Sequence, residues 1–286
     1  MMEFFDALFR YSFIQYALLT GVLASIACGV VGSLVVVRRI TYIAGAIAHS
    51  VLGGMGAARY LQVVHGITWI SPLSGALIAS LVAALIIGIV SIKLKEREDT
   101  IIGAIWAAGM AIGIIFITKT PGYGEDLMSY LFGNILMVTP NDLKLIAALD
   151  GFVILVGLIF YNQLLAICFD EEFARLRGLK VELYYLLLLC LTALTVVLLV
   201  TVVGIVLVIA LITLPVAVAG IFSKRLWQMM ILSALLSSIF TATGLMISYS
   251  PNLPSGAAII MVASIAYILS LVATRSVKYL KSKSSR

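Results

Sequence analysis

This sequence predicts an all-α polytopic membrane protein, and three observations predict it. Of the 286 residues, 63% are hydrophobic and 11% are charged, whereas a soluble domain is about half apolar and about a quarter charged. No soluble core of this size buries so much apolar surface, and lipid is the solvent that accepts it. The charges are also gathered into clusters. Residues 11–37, 40–58, 60–92, 183–223 and 226–274 contain no Asp, Glu, Lys or Arg. A crossing helix needs about 20 apolar residues, so each of the last two tracts accommodates two crossings. Finally, basic residues recur at every second boundary, the alternation that sets topology in a bilayer.

Taken in order, the apolar tracts read as about nine crossings: residues 16–37, 42–60, 72–92, 100–118, 141–162, 183–202, 204–222, 228–248 and 256–274. The leader ahead of the first carries Glu3 and Asp6 instead of a basic stretch. Because the first apolar run is also full length, it reads as an uncleaved span rather than a signal peptide. Residues 127–138 read as an additional short apolar helix, broken from the fifth crossing by Pro140, since proline interrupts a helix interior. Arg38 and Arg39, then Lys93, Lys95 and Arg97, then Arg175, Arg177 and Lys180, then Lys224 and Arg225 follow alternate crossings. The tail 275–286 adds Arg275, Lys278, Lys281, Lys283 and Arg286. The loops between, 61–71, 119–126 and 250–255, are poor in Lys and Arg. The expected orientation in the inner or plasma membrane therefore has the N-terminus outside and the C-terminus in the cytoplasm. The whole of 1–286 reads as a single transmembrane domain without a soluble module or linker.

Several function classes drop out. The net charge of +6 is spread over span ends and the tail rather than one basic face, which argues against a nucleic-acid partner. Cys28, Cys168 and Cys190 form no C-x-x-C pair, so neither a disulfide framework nor a thiolate zinc site is indicated. No nucleophile–base pair at catalytic spacing argues for an enzyme. The sequence holds no G-x-x-x-x-G-K-[ST] loop, the phosphate cradle of many ATPases.

The most informative polar stretch is Phe169-Asp-Glu-Glu-Phe-Ala-Arg-Leu-Arg-Gly178. Asp170 suits an N-cap. Glu171 and Glu172 fall in the first turn and Arg175 and Arg177 in the last, as the helix dipole favours. Gly178 is a natural stop. Phe169, Phe173 and Leu176 recur at helical spacing and make one apolar edge. The expectation is a short amphipathic helix between two crossings. It either rests on the bilayer surface or docks in a groove of a cytosolic partner.

Residues 169–179 strongly resemble the coupling segment of the zinc/manganese ABC permease family, of ABC-3 type. Further stretches agree: Arg97-Glu-Asp-Thr-Ile-Ile-Gly103, Leu131-Phe-Gly-Asn-Ile-Leu136 followed by Thr139-Pro140-Asn141-Asp142-Leu143, the tract from Val203 to Pro215, and Arg225-Leu-Trp227. The resemblance covers about residues 15–275 and implies a fold similar to that of the cobalamin and siderophore importer permeases. It also implies a homodimer around one pathway, two cytosolic ATP-binding subunits docked on the coupling helices through Phe169–Gly178, and an extracytoplasmic metal-binding protein that delivers the ion. The resemblance further implies no permanently held cofactor and a divalent metal, zinc or manganese, as the cargo.

Ionisable groups inside a crossing are costly and mark function, and two stand out. His49, in Ala46-Ile-Ala-His49-Ser-Val-Leu-Gly-Gly54, carries the imidazole that suits zinc and other first-row metals. Its place resembles the family's second-span histidine, which lines the pathway. Many members carry an aspartate four residues earlier, where this chain has Gly45. The alternative for His49 is a helix–helix hydrogen bond. Asp150, mid-way along the fifth crossing, reads either as a cation ligand or as a helix–helix hydrogen bond; no family motif covers it. Asn134 is a candidate neutral ligand, His65 a solvated loop residue, and Met110, Met128 and Met137 packing residues. Two other functions remain open: a permease of this fold for cobalamin or a siderophore, and a gradient-driven secondary transporter using Asp150.

Overall fold

In the computed structural model, residues 2–93, 98–121, 133, 135–249 and 253–284 are described. They form twelve helices: α1 (Met2–Arg10), α2 (Ser12–Val37), α3 (Thr41–Val64), α4 (Pro72–Lys93), α5 (Glu98–Lys119), α6 (Pro140–Ile159), α7 (Tyr161–Phe169), α8 (Glu171–Leu176), α9 (Val181–Val203), α10 (Ile205–Phe222), α11 (Leu226–Tyr249) and α12 (Ser255–Ser284). Seven of them, α2, α4, α5, α9, α10, α11 and α12, are long and apolar enough to cross a membrane. The chain is a multi-pass membrane protein.

Three differences from the sequence reading have physical causes. The crossing expected over 141–162 stops at Ile159, and α6 and α7 meet at an angle of 72° around Phe160. The break lies where an apolar run gives way to Tyr161, Asn162 and Gln163. The second expected crossing, α3, spans 24 residues but lacks the uniform apolarity of the seven. It carries His49 and Arg59 and packs against α4, α5 and α9, so protein rather than lipid surrounds much of it. Finally, α1 precedes the first crossing: Phe4 and Ala7 are buried, and the Phe4 ring meets Tyr249 edge-on at 5.8 Å. Of the short helix expected over 127–138, residues 127–132 and Asn134 lie outside the described residues, as does Met128; Ile135–Met137 form one 3₁₀ turn. Thr139 then caps α6 with a reciprocal pair: the Thr139 hydroxyl accepts from the Asp142 amide, and Asp142 accepts from the Thr139 amide at 2.9 Å. This capping box with Pro140 in the first turn sets the helix start.

Of the seven apolar crossings, α2 and α9 are the most enclosed, whereas α4, α5, α11 and α12 are more exposed. Without water there is no hydrophobic drive between apolar helices, so close backbone approach through small residues has to hold them. Gly54 of α3 faces Gly75 of α4, and a Cβ built on either would fall 2.2–2.3 Å from the other's carbonyl oxygen. Along the α3–α5 seam Gly53 faces Gly109, and Gly56 faces Gly113. The helix turn between α9 and α10 is made by Gly204 at φ +81°, a left-handed value that favours glycine.

Arg38, Arg39, Ser91, Ile92, Glu171, Arg175 and Glu182 line one cavity, and Lys224 and Arg225 line a second beside Phe169 and Phe173. Both cavities border α8, so Arg38, Arg39, Arg175, Lys224 and Arg225 share one end of the bundle, here called the basic end.

Candidate functional site

At the basic end, the polar stretch after α7 folds as its residues dictate. The Asp170 carboxylate accepts from the Phe173 amide at 2.9 Å, and Glu171 and Glu172 occupy the first turn. Gly178 stops the helix at φ +79°, with its amide donating to the Arg175 carbonyl and the Leu179 amide to the Ala174 carbonyl. This is the left-handed cap that closes many helices. Ala174 is fully buried and anchors α8. The predicted apolar edge points away from the protein: Phe169, Phe173 and Leu176 are 68%, 51% and 87% exposed. The Arg177 guanidinium lies 5.0 Å from the Phe173 ring centre. Beside them is a cavity of about 580 Å³, lined by Tyr161, Leu165, Phe169, Phe173, Arg225 and Trp227 among others.

Sequence reasoning did not find what ties α8 to the bundle. Arg38, at the end of α2, hydrogen-bonds Glu171 across 133 positions of sequence, and its guanidinium stands 5.6 Å from the Tyr185 ring centre. Arg175 pairs with Glu182 at 2.9 Å. The Arg38–Glu171 link runs from α8 to the turn that leads into α3, and α3 carries His49. Exposed pairs contribute about 0.2–1 kcal/mol each, so the value of this one is geometric. Arg38→Glu, which places two carboxylates together, is expected to lower the melting midpoint in detergent by about 2–4 °C. The exchanged pair Arg38→Glu/Glu171→Arg is expected to restore most of it. Equal losses in the single and double variants would mean that the contact carries no coupling.

Inside the bundle, His49 is 8% exposed, and its Nδ1 is buried with no hydrogen-bond partner. A buried polar atom without a hydrogen bond is costly. The imidazole stacks on Trp106 of α5, with ring centres 4.4 Å apart and planes 24° from parallel. The neighbouring Ser50 hydroxyl is satisfied by the Ala46 carbonyl at 2.9 Å. Asp150 is also buried, with Oδ2 unpartnered, but it belongs to α6, which packs on α2 and α9. The structure therefore does not assemble the two candidate ligands into one cluster. Among the described residues, no three His, Cys, Asp or Glu side chains converge as a metal cage. His65 is exposed near the Tyr60 ring, Met110 packs against the core and Met137 is exposed. The signal that could have found the partner of His49 was Trp106 itself, a large amphipathic ring within an expected crossing.

The comparisons with known proteins agree with this architecture. The chain is 44% identical over 253 residues to a "probable metal transport system membrane protein" of Chlamydia trachomatis, covering 88% of this chain and 86% of the relative. It is 37% identical to the "manganese transport system membrane protein MntC" of Halalkalibacterium halodurans, over 93% of this chain and 89% of that one. Among solved structures, PsaBC from Streptococcus pneumoniae in complex with Fab superposes with a TM-score of 0.83 at 32% identity, covering 94% of both chains. The model of the ABC 3 transport family matches residues 10–274, nearly the whole of the helical bundle, and the chain belongs to that family.

Proposed function

We propose that this chain is the membrane-spanning permease subunit of an ATP-driven importer of divalent transition-metal ions, with manganese as its cargo. The observation that carries the reading is α8. It is a well-capped helix that turns two phenylalanines and a leucine outward at the basic end, beside an apolar groove, and is tied by Arg38 to the helix pair that leads to His49. Exposed apolar side chains on a rigid short helix fit a groove on another protein. A cytosolic ATP-hydrolysing subunit is the partner the family resemblance implies, and hydrolysis takes place on that chain. The basic end then faces the cytoplasm. Metal arrives from the other side on a delivery protein, passes His49 and leaves at the basic end. A second copy of the permease completes the pathway. Manganese is favoured over zinc by the names of the relatives.

His49 is the proposed metal contact. Neutral imidazole binds first-row metals, and the Nδ1 atom has no competing partner. Asp150 is proposed as a separate polar station on α6, not as a second ligand of the same ion.

The test is uptake into proteoliposomes holding the permease with its ATP-hydrolysing and metal-binding partners. Manganese uptake is expected to require ATP, to exceed zinc uptake, and to be untouched by cobalamin or ferric siderophore as competitors. Uptake that persists without the ATP-hydrolysing subunit would favour a gradient-driven transporter. Competition by cobalamin or a siderophore would favour a carrier of bulky chelates. Either result would overturn the proposal.

A further inference from the structure

The α3–α5 seam holds more than a histidine. On α3, Tyr42, Gly45 and His49 follow at helical spacing, and on α5 so do Asp99, Ile102, Gly103 and Trp106. Backbone approach at Gly53–Gly109 and Gly56–Gly113 presses the two faces together. The Trp106 indole lies in the notch that Gly45 leaves open. A Cβ at position 45 would fall 2.5 Å from Trp106 Cζ3, closer than atoms approach, so even alanine there must displace the ring. One face of the indole covers the His49 imidazole at 4.4 Å. The same side chain, with Tyr42, Asp99, Ile102 and Gly103, also lines a cavity of about 450 Å³. Tyr42 and Asp99 open α3 and α5 on the side of Arg38 and Lys93, so the cavity belongs to the basic end. His49 does not line it, and the indole stands between the two.

We propose that Trp106 is the gate of the His49 site: seated in the Gly45 notch, it closes the imidazole off from the cavity at the basic end. The proposal rests on the import reading above and adds a residue and a direction to it. The indole is an N–H donor with no acceptor, so it does not ligate a cation. Its π face attracts positive charge and holds the imidazole against an apolar wall. An ion on His49 reaches the cavity, and the Asp99 carboxylate within it, when the indole swings out of the notch. A gate at rest over the site keeps a permease from leaking ions when its motor is idle, and a planar ring in a glycine notch moves without repacking the α3–α5 backbone contact.

Two measurements on the complete complex test this. In proteoliposomes without ATP, Trp106→Ala is expected to pass Mn²⁺ about tenfold faster than wild type, the effect of a barrier about 1.4 kcal/mol lower, whereas Trp106→Phe, which keeps a ring in the notch, is expected to stay tight. Independently, Mn²⁺ added to the detergent-solubilised wild-type complex is expected to quench a component of the tryptophan emission that is missing in Trp106→Phe, and the quench is expected to vanish in His49→Ala. A Trp106→Ala variant as tight as wild type overturns the gate, as does a Mn²⁺ quench that persists in Trp106→Phe. If Trp106→Ala fails to assemble, the quench alone decides, because it compares wild type with Trp106→Phe and His49→Ala and does not use that variant. ATP-driven Mn²⁺ uptake by wild type accompanied by either negative result sinks only the gate, whereas absence of that uptake sinks the import reading and the gate with it.

Discussion

A Phe173→Asp permease is expected to fold, to separate from its ATP-hydrolysing partner on gel filtration, and to lose ATP-driven manganese uptake by about thirtyfold or more, since burying a phenylalanine is worth about 1.5–3 kcal/mol and each 1.4 kcal/mol is about tenfold in affinity. Central aromatic anchors of an interface reach still larger values, about 2–4 kcal/mol or more on truncation, and an aspartate adds the cost of desolvating a charge. The fold is expected to survive because Phe173 is not what holds α8. Half of its surface is open, the Arg177 guanidinium lies over its ring, and the helix is fastened by buried Ala174, the Asp170 cap and the Arg38–Glu171 contact. Co-purification of the partner at wild-type yield, together with unchanged uptake, would show that α8 merely lies on the bilayer. Leu176→Asp offers a check on the same edge, at the residue that stands furthest out of the bundle.

His49→Ala is expected to leave the partner bound and the melting midpoint within a few degrees, yet to cut manganese uptake by about tenfold to a hundredfold, the range that loss of even an outer partner of a metal site costs. The contrast separates the two proposed regions: on the reading above, Phe173 acts through assembly and His49 through the ion. The imidazole Nδ1 has no hydrogen bond to lose, so removal of the ring costs mainly the stack against Trp106, and aromatic pairs contribute about 0.5–1.5 kcal/mol. His49→Gln, which keeps a polar side chain but no imidazole, is expected to behave like the alanine variant if the ring nitrogen is what the metal uses. Wild-type uptake in both variants would remove His49 from the pathway and leave it a packing residue of the α3–α5 seam.

Between them the two variants probe a feature that was legible in the sequence and one that was only half legible. The cap, charge order, apolar edge and glycine stop of 169–178 are local: each depends on residues within one or two turns, and the structure shows all four. The apolar crossings are legible for a similar reason, since lipid demands one continuous run of apolar residues with every backbone group satisfied inside the helix. His49 stood out as an ionisable group in such a run. Its partner did not, because nothing local links Trp106 to a residue 57 positions earlier.

What this sequence determined by itself was therefore the short-range content: a helical chain living in hydrocarbon, its polar interruption after Phe169, and the two buried ionisable side chains His49 and Asp150. What only the tertiary structure decided was which of these meet. The glycines of α3, α4 and α5 let backbones touch, so Trp106 falls on His49 and into the place left by Gly45, while Asp150 is carried away on α6. Arg38 reaches Glu171, and Phe160 bends a tract whose composition reads as straight. Hydropathy is a property of each residue and its near neighbours, whereas helix pairing in a bilayer depends on shape complementarity between small residues far apart in the chain, and that complementarity exists only once the helices are side by side.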